Sequence, residues 1–540
     1  MNLLTDPLLR IETTDSMTRV SLPGLLAALG DNSVRSYPGM QRHQEDAFHV
    51  FLTYLGSAVL ARQGRDDPTQ TRDFWESGLR ALAPDAEDQA WTLVVDDLSQ
   101  PAFMQPPLPK PDHDKLTLKA STPDALDVLV TAKNHDVKAE RASQPDIDEW
   151  VFALVGIQTM SGFLGQGNFG ISRMNGGFGS RLIVEVARTT DPGPRWSDAV
   201  SRLLHHRQEV LADEYGYDER GLVLVWTEPW DGDNGLSLHT LDPCYIEICR
   251  RIRLRASSKP GSIARADAMP SKAARINGKA FKGAVGDPWT PVDLSKSDTA
   301  EGVKVLTVGP AGLTAETQRR LVFSDHLGLS RLQRPEPSWG ASDLWLLVSV
   351  LVRGQGTTDG FHEMHVRLPQ HIQPRLFGPP VLRDPWVALS KQLIEAAGLM
   401  QRAVSRALLT FVEGGPARLE DREAAEAWGR RWRVRYQSLW TGQYFPYLWD
   451  IEDNFKPDAA LATWVRVLWD AARVTLDDAM AALPQHSSRR YRGRVRARQT
   501  LRAIASHHFP AMRGRQTEPT EESDNNGRAA SPDLATTPAD

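Results

Sequence analysis

The 540-residue chain holds two cysteines, Cys244 and Cys249, and no apolar run long enough to cross a membrane. Two thiols cannot build a disulfide framework or a four-thiolate zinc site, and so sparse a use of cysteine fits a reducing compartment. A membrane-spanning helix needs about 18 or more consecutive apolar residues, and none is present. The opening MNLLTDPLLRIETTD lacks the basic start, long apolar stretch and small-residue cleavage site of a signal peptide. The expectation is a cytoplasmic protein without a membrane partner, a metal or a cofactor.

Catalytic motifs are equally scarce. There is no H-E-x-x-H, G-x-S-x-G or G-x-x-x-x-G-K-[ST], and the kinase strings HRD, DFG and VAIK are missing. The histidine pairs His205-His206 and His507-His508 are adjacent, and adjacent residues on a helix do not face one another, so they make poor metal clips. The best local constellation is HEMHVR, which brings His362, Glu363 and His365 together at strand-like spacing. It keeps open the alternative of a metal- or nucleotide-dependent enzyme.

What is present is segregated charge. The net charge is -5, yet residues 250–282 hold ten Lys or Arg and the single acid Asp267, and residues 479–517 hold nine Arg and no acid. Phosphate contacts depend on local rather than total charge, so two basic blocks are compatible with a nucleic-acid track.

A chain of this length exceeds the size at which single cores stop growing. The pattern predicts an α+β protein: a large mixed α/β N-terminal domain over 1–378, a C-terminal four-helix bundle over 379–512 and a disordered tail over 513–540. SLPGLLAALG and QEDAFHVFLTYLGSAVLARQ read as helices, the second with Phe48, Phe51, Leu55 and Val59 on its core face. LIVEVAR, GLVLVWTEPW and SDLWLLVSVLVRGQG read as strands, and WVFALVGIQTM as an apolar helix or strand. The proline-rich PAFMQPPLPKPDHDK reads as a surface loop, and 255–300 as a long irregular one. Asp384-Pro385 reads as the cap and first turn of the bundle's first helix.

The most unusual segment is 162–181, GFLGQGNFGISRMNGGFGSR. Its GQGNFG matches G-x-G-x-x-G, but a dinucleotide fingerprint needs a helix opening inside it, and ISRMNGGFGSR cannot sustain one. The remaining reading is a loop in which Gly165, Gly167, Gly170, Gly176, Gly177 and Gly179 let backbone approach a ligand closely. Arg173, Arg181, Asn168 and Asn175 are its candidate polar contacts to a sugar-phosphate chain.

Several landmarks then occur in a fixed order: MNLL at the start, PAFMQ at 101–105, the glycine stretch, YIEIC at 245–249, GDPW at 286–289, RGQG at 353–356 and a final helical region containing VRARQTL. The set resembles the CasA family, the large subunit of the type I-E Cascade CRISPR surveillance complex, from residue 1 to about 510. The resemblance implies a non-enzymatic subunit that recognises a protospacer-adjacent motif (PAM) in double-stranded DNA through the minor groove and helps to open the duplex, while guide RNA reads the target. It implies a glycine loop at Gly165, Gln166, Gly167, Asn168 and Phe169, a lysine finger at Lys279 or Lys282, and a glutamine wedge at Gln355 flanked by Arg353. It further implies a loop near the guide RNA carrying Lys133, Asn134 and His135, and DNA-backbone contacts from Arg489, Arg490, Arg492, Arg494, Arg496 and Arg498. The implied partners are guide RNA (crRNA), double-stranded target DNA, the other Cascade subunits and a trans-acting helicase-nuclease. A generic nucleic-acid-binding scaffold is the remaining alternative.

Overall fold

The computed structural model describes residues 1–127, 145–176, 181–340, 342–354, 357–413, 422–483 and 487–512. The chain divides into two compact units, Met1–Lys391 and Gln392–Asp540.

The first unit is organised on the helix Arg42–Gln63. Gln41 and Gln44 cap its start reciprocally, and Gly64 ends it in the left-handed conformation at φ 63°. Phe48, Phe51, Leu55 and Val59 are all buried, as their spacing predicts. Phe48 stacks on Phe51 and meets Phe152 of the helix Ile147–Met160 edge-on. On another side Gly56 admits Trp196 of the helix Pro192–Ala212; a β-carbon at Gly56 would stand 2.8 Å from that ring. Small sheets surround this axis. The strand Leu344–Gly354 runs antiparallel to both Thr357–Leu368 and Ile183–Ala187, the latter wholly buried. The strand Ile263–Met269 lies between Arg251–Ala256 and Leu118–Ala120.

In the second unit the described residues form the helices Pro380–Glu413 (which begins in the first unit), Arg422–Asp450, Pro457–Ala482 and Ser487–His508. Leu393, Ala397, Val404, Leu408 and Phe411 are buried along the first. Trp464 meets Trp440 edge-on, stacks on Tyr447 and donates its indole N–H to the Leu393 carbonyl at 3.1 Å. Pro385 does not start its helix: the helix begins at Pro380 and takes Pro385 inside.

Three further expectations meet a different outcome. GLVLVWTEPW keeps strand geometry only over Leu222–Leu224, because the chain then turns so that the Trp226 indole, fully buried, can donate to the Ala90 carbonyl. The long irregular stretch contains the strand Ile263–Met269. The proline-rich segment is not a surface loop, since residues 101–108 are buried, with Phe103 and Met104 fully so.

Buried irregular backbone needs hydrogen-bond partners. Three polar side chains supply them. The Arg253 guanidinium, 1% exposed, donates to the carbonyls of Val95, Asp97, Gln100, Gln105 and Pro106. Gln158 donates to the Met104 and Arg250 carbonyls and accepts from the amides of Cys249 and Arg250. Gln105 donates to the Leu93 and Phe103 carbonyls and accepts from the Leu254 amide. Burial pushes the Arg253 guanidinium down to about 10, still charged at neutral pH.

Arg253→Met should therefore orphan several carbonyls at once. Each buried unsatisfied group costs about 1–3 kcal/mol, so the expected loss is at least ~3 kcal/mol. Chemical denaturation of the full chain checks it, with exposed Lys259→Met as a control that should stay within about 0.5 kcal/mol of the parent.

Candidate nucleic-acid interface

The glycine segment leaves the helix Ile147–Met160 and folds back on itself. The Ile171 amide donates to the Ser161 carbonyl at 3.0 Å, the Leu164 amide to the Asn168 carbonyl at 3.0 Å, and the Asn168 amide to the Gly165 carbonyl at 3.0 Å. Residues 165–168 are thus a four-residue turn with Gly167 third at φ 85°, the position that type II geometry reserves for glycine.

Gly165 and Gly167 serve different ends. A β-carbon at Gly167 would lie 2.7 Å from Pro270, and the Gly167 carbonyl accepts from the Ser271 amide at 3.0 Å. Gly167 is buried and tied down. Gly165, at φ 113°, has open space where a β-carbon would point, and Gln166 at the tip is exposed. Beneath the turn, Arg250 donates to the carbonyls of Phe169 and Gly162. Phe163 and Phe169 face each other across the base at 6.1 Å.

The lysine segment packs against the same stretch of chain. A β-carbon at Gly278 would lie 2.8 Å from the Ser172 side chain, and one at Gly283 would lie 2.9 Å from the Met174 carbonyl carbon. Both glycines flank the single turn Lys279–Phe281. Lys279 is exposed, with no ion-pair or hydrogen-bond partner among the described residues. Lys282 is half-buried, adopts φ 49°, and donates its ammonium to the Glu301 carbonyl. Exposed Phe281 sits 6.1 Å from the Tyr215 ring.

The basic block 250–282 is not a continuous electropositive track. Arg251 pairs with Asp112, Arg255 and Arg265 share Asp267, and Lys272 pairs with Asp233. Arg253 and Arg275 are buried on backbone carbonyls. Arg173 and Arg181 are likewise not surface contacts. Arg173 is 3% exposed, lies 3.7 Å above the Tyr245 ring and donates to the Tyr245 carbonyl. Burial opposes its charge, but attraction to Tyr245, Tyr54 and Glu247 holds its ionisation well above the ordinary range. Arg181 is buried in an ion pair with Asp287, the Asp of GDPW. Burial there favours the neutral carboxyl, yet Arg181 and Arg173 outweigh it and keep Asp287 below the usual carboxylate range.

The remaining expected contacts are scattered. Arg353 pairs with Thr358 near the end of the hairpin, next to a register shift, and Gln355 lies outside the described residues. Lys133, Asn134 and His135 also lie outside them. Arg489, Arg490, Arg492, Arg494, Arg496 and Arg498 all belong to the helix Ser487–His508. The two-residue spacing from Arg490 to Arg498 turns about 200° per step on a helix, so the arginines divide into two stripes, Arg490, Arg494 and Arg498 on one side and Arg489, Arg492 and Arg496 on the other, rather than forming one continuous face. Arg489, Arg490 and Arg492 are exposed, Arg494 and Arg496 half-buried, and Arg498 pairs with Asp477 at 2.9 Å.

The HEMHVR constellation does not converge. Strand alternation puts His362 on one face and Glu363 and His365 on the other. The His362 ring packs over Gly312, whereas Glu363 pairs with Arg42 at 2.7 Å. Burial lowers His365 from its ordinary value. Among the described residues no group of three or more His, Cys, Asp or Glu could hold a metal ion.

The supporting residues were harder to read from sequence. Arg250, Pro270 and Ser271 hold the turn, yet Arg250 and Ser271 fall inside the basic block without a distinguishing signal. Glycines 278 and 283, bracketing Lys279 and Lys282, were the available clue to a close approach of two backbones.

No family model and no curated protein matches the sequence. The fold does have counterparts. The chain is similar to the crystal structure of CRISPR-associated protein Cse1 from Acidimicrobium ferrooxidans, with a TM-score of 0.59 at 15% identity over 94% of this chain and 99% of that one. It is also similar to CasA from Thermus thermophilus, at 0.56 and 14% over 94% and 99%. Thermobifida fusca Cse1 matches at 0.56 and 14% over 95% and 98%. The chain therefore has the mixed α/β fold with a C-terminal helical region seen in the Cse1/CasA proteins.

Arg250→Gln should loosen the turn without unfolding the unit. Hydrogen exchange at the Asn168 and Ile171 amides is expected to rise about tenfold or more, while amides of the helix Arg42–Gln63 stay protected. Equal protection at residues 168 and 171 would mean that Arg250 does not hold the turn.

Proposed function

We propose that this chain is a CasA-type large subunit of a type I-E CRISPR Cascade complex. It reads the PAM of double-stranded DNA through the minor groove and helps to separate the strands for guide RNA pairing. The observation that carries this reading is the turn at 165–168, open above Gly165, exposed at Gln166 and anchored at Gly167, on a fold matched over 94% of the chain.

The minor groove presents mainly acceptors, with one donor added by G·C pairs, and is narrow. A turn with no side chain at Gly165 brings a backbone amide or carbonyl to that edge at little steric cost, and Gln166 and Asn168 add side-chain amides. Lys279 is the better candidate for the lysine finger, because its ammonium has no partner among the described residues whereas that of Lys282 is committed to the Glu301 carbonyl. Gln355, which follows the strand Leu344–Gly354 in sequence, is the proposed wedge, with Arg353 two positions before it. An inserted planar amide would offset part of the few kcal/mol lost on unstacking a base step. Lys133, Asn134 and His135 would meet the guide RNA, and the exposed arginines of the last helix would meet displaced or target DNA.

In this reading the subunit is non-catalytic and cytoplasmic, joined to guide RNA and the other Cascade subunits, and it supports recruitment of a helicase-nuclease. The separation of His362 from Glu363 and His365 removes the specific support for an enzyme.

In the assembled complex, Lys279→Ala should weaken binding to cognate-PAM duplex about tenfold, with Lys282→Ala costing no more than about threefold. Gel-shift titration against cognate and scrambled PAM checks both, and equal affinity of the parent for the two duplexes would favour the generic scaffold. Gln355→Ala should leave encounter intact and reduce permanganate reactivity of the opened strand; normal opening would remove the wedge role.

A further inference from the structure

In the second unit a pocket of about 210 Å³ opens between the helices Pro457–Ala482 and Ser487–His508. Its floor includes Leu476 and Leu501, both almost fully buried. Its walls carry Trp469, Arg473, Arg498 and Arg502. We infer that this pocket is a binding site for single-stranded nucleic acid: one base stacks on Trp469 while the flanking phosphates meet Arg473 and Arg502.

Four observations carry the inference. Trp469 is part-exposed, and no ring partner is seen for it among the described residues, unlike Trp440 and Trp464 in the same unit. Arg502 is exposed without an ion-pair partner among the described residues, and Arg473 is 60% exposed with its nearest acid, Asp470, at 3.8 Å. The pocket's own acid, Asp477, is engaged at 2.9 Å by Arg498, so it does not set the sign of the site. Arg473 and Arg502, from the two helices, line the same pocket.

Size and charge select the occupant. Whole small-molecule sites enclose ~300–1,000 Å³. A smaller pocket with an apolar floor and a cationic rim takes one planar ring of a longer polyanion. Aromatic stacking beside a positive groove is the usual means of holding single strands without sequence preference. On the last helix, Tyr491, Val495, Arg498 and Arg502 recur at spacings of four, three and four, so they share one face, and the first two are among its exposed apolar residues. That face continues away from the pocket and offers further stacking surface.

The inference rests on the proposed function only for which strand would occupy the site, not for binding itself. The test uses the full-length chain alone with fluorescein-labelled oligodeoxythymidylate, followed by anisotropy. Trp469→Ala should weaken binding about tenfold or more, and Trp469→Phe, which keeps a stacking ring, by no more than about threefold. Arg502→Gln should lower the slope of log affinity against log salt by about 0.7, the single-strand value for one phosphate contact. Equal affinity of Trp469→Ala and the parent overturns the proposal. So does binding that polyglutamate displaces regardless of Trp469, since the occupant would then be an acidic peptide. PAM discrimination by the assembled complex should be unchanged in Trp469→Ala, so failure here and failure of the PAM reading are separable.

Discussion

Buried guanidinium groups donating to backbone carbonyls are the constraint on which the first unit depends. Long irregular segments run through its interior, and every buried carbonyl there must find a donor or cost about 1–3 kcal/mol. Arginine suits this, since it offers five donors in a planar fork and is weakly hydrated for a cation. Arg253 gathers the proline-rich segment, Arg275 the carbonyls of Val225, Glu228 and Pro229, and Arg250 the two ends of the glycine turn. Arg202 does the same for Val186, Arg331 and Arg334. The opposing cost is desolvation of each charge, visible in the lowered values of Arg202, Arg253 and Arg275.

This use of arginine changes what a basic stretch of sequence means. Ten cations in 33 residues read as a polyanion track, yet most are engaged inside the protein by carboxylates or carbonyls. Lys259 and Lys279 are left as exposed cations without such a partner among the described residues, and of the two it is Lys279 whose turn packs against the glycine segment. A single free ammonium adds less affinity than a basic patch but far more positional information, because its turn is fixed by glycines 278 and 283 against residues 172–175.

Periodicity made the helices legible: Phe48, Phe51, Leu55 and Val59 lie in the core of the first unit, and Leu393, Ala397, Val404 and Leu408 in that of the second, where three-and-four spacing puts them. Composition misled wherever polar satisfaction came from far away in sequence. The segment 101–108 reads as solvated because prolines and a lysine surround it, and nothing local reveals that Arg253, almost 150 positions on, completes it. Arg173 and Arg181 fail for the same reason, since their partners Tyr245, Glu247 and Asp287 lie 70 or more positions away. The HEMHVR cluster was a matter of parity: a strand sends neighbours to opposite faces, so three residues close in sequence were divided by the pleat.

The two glycines of the turn show how rigidity and access are combined. A loop of glycines free to move would lose conformational entropy on meeting a ligand, and that loss would weaken affinity. Here Gly167 serves fixation: only glycine tolerates φ 85° with Pro270 against it, and its carbonyl is held by Ser271. Arg250 closes the base. With those anchors in place Gly165 can remain bare without making the turn loose, so its ordering is largely complete before any partner arrives. The glycine count of the segment therefore overstates its flexibility, and the density of hydrogen bonds around the turn is the better guide to what it can do.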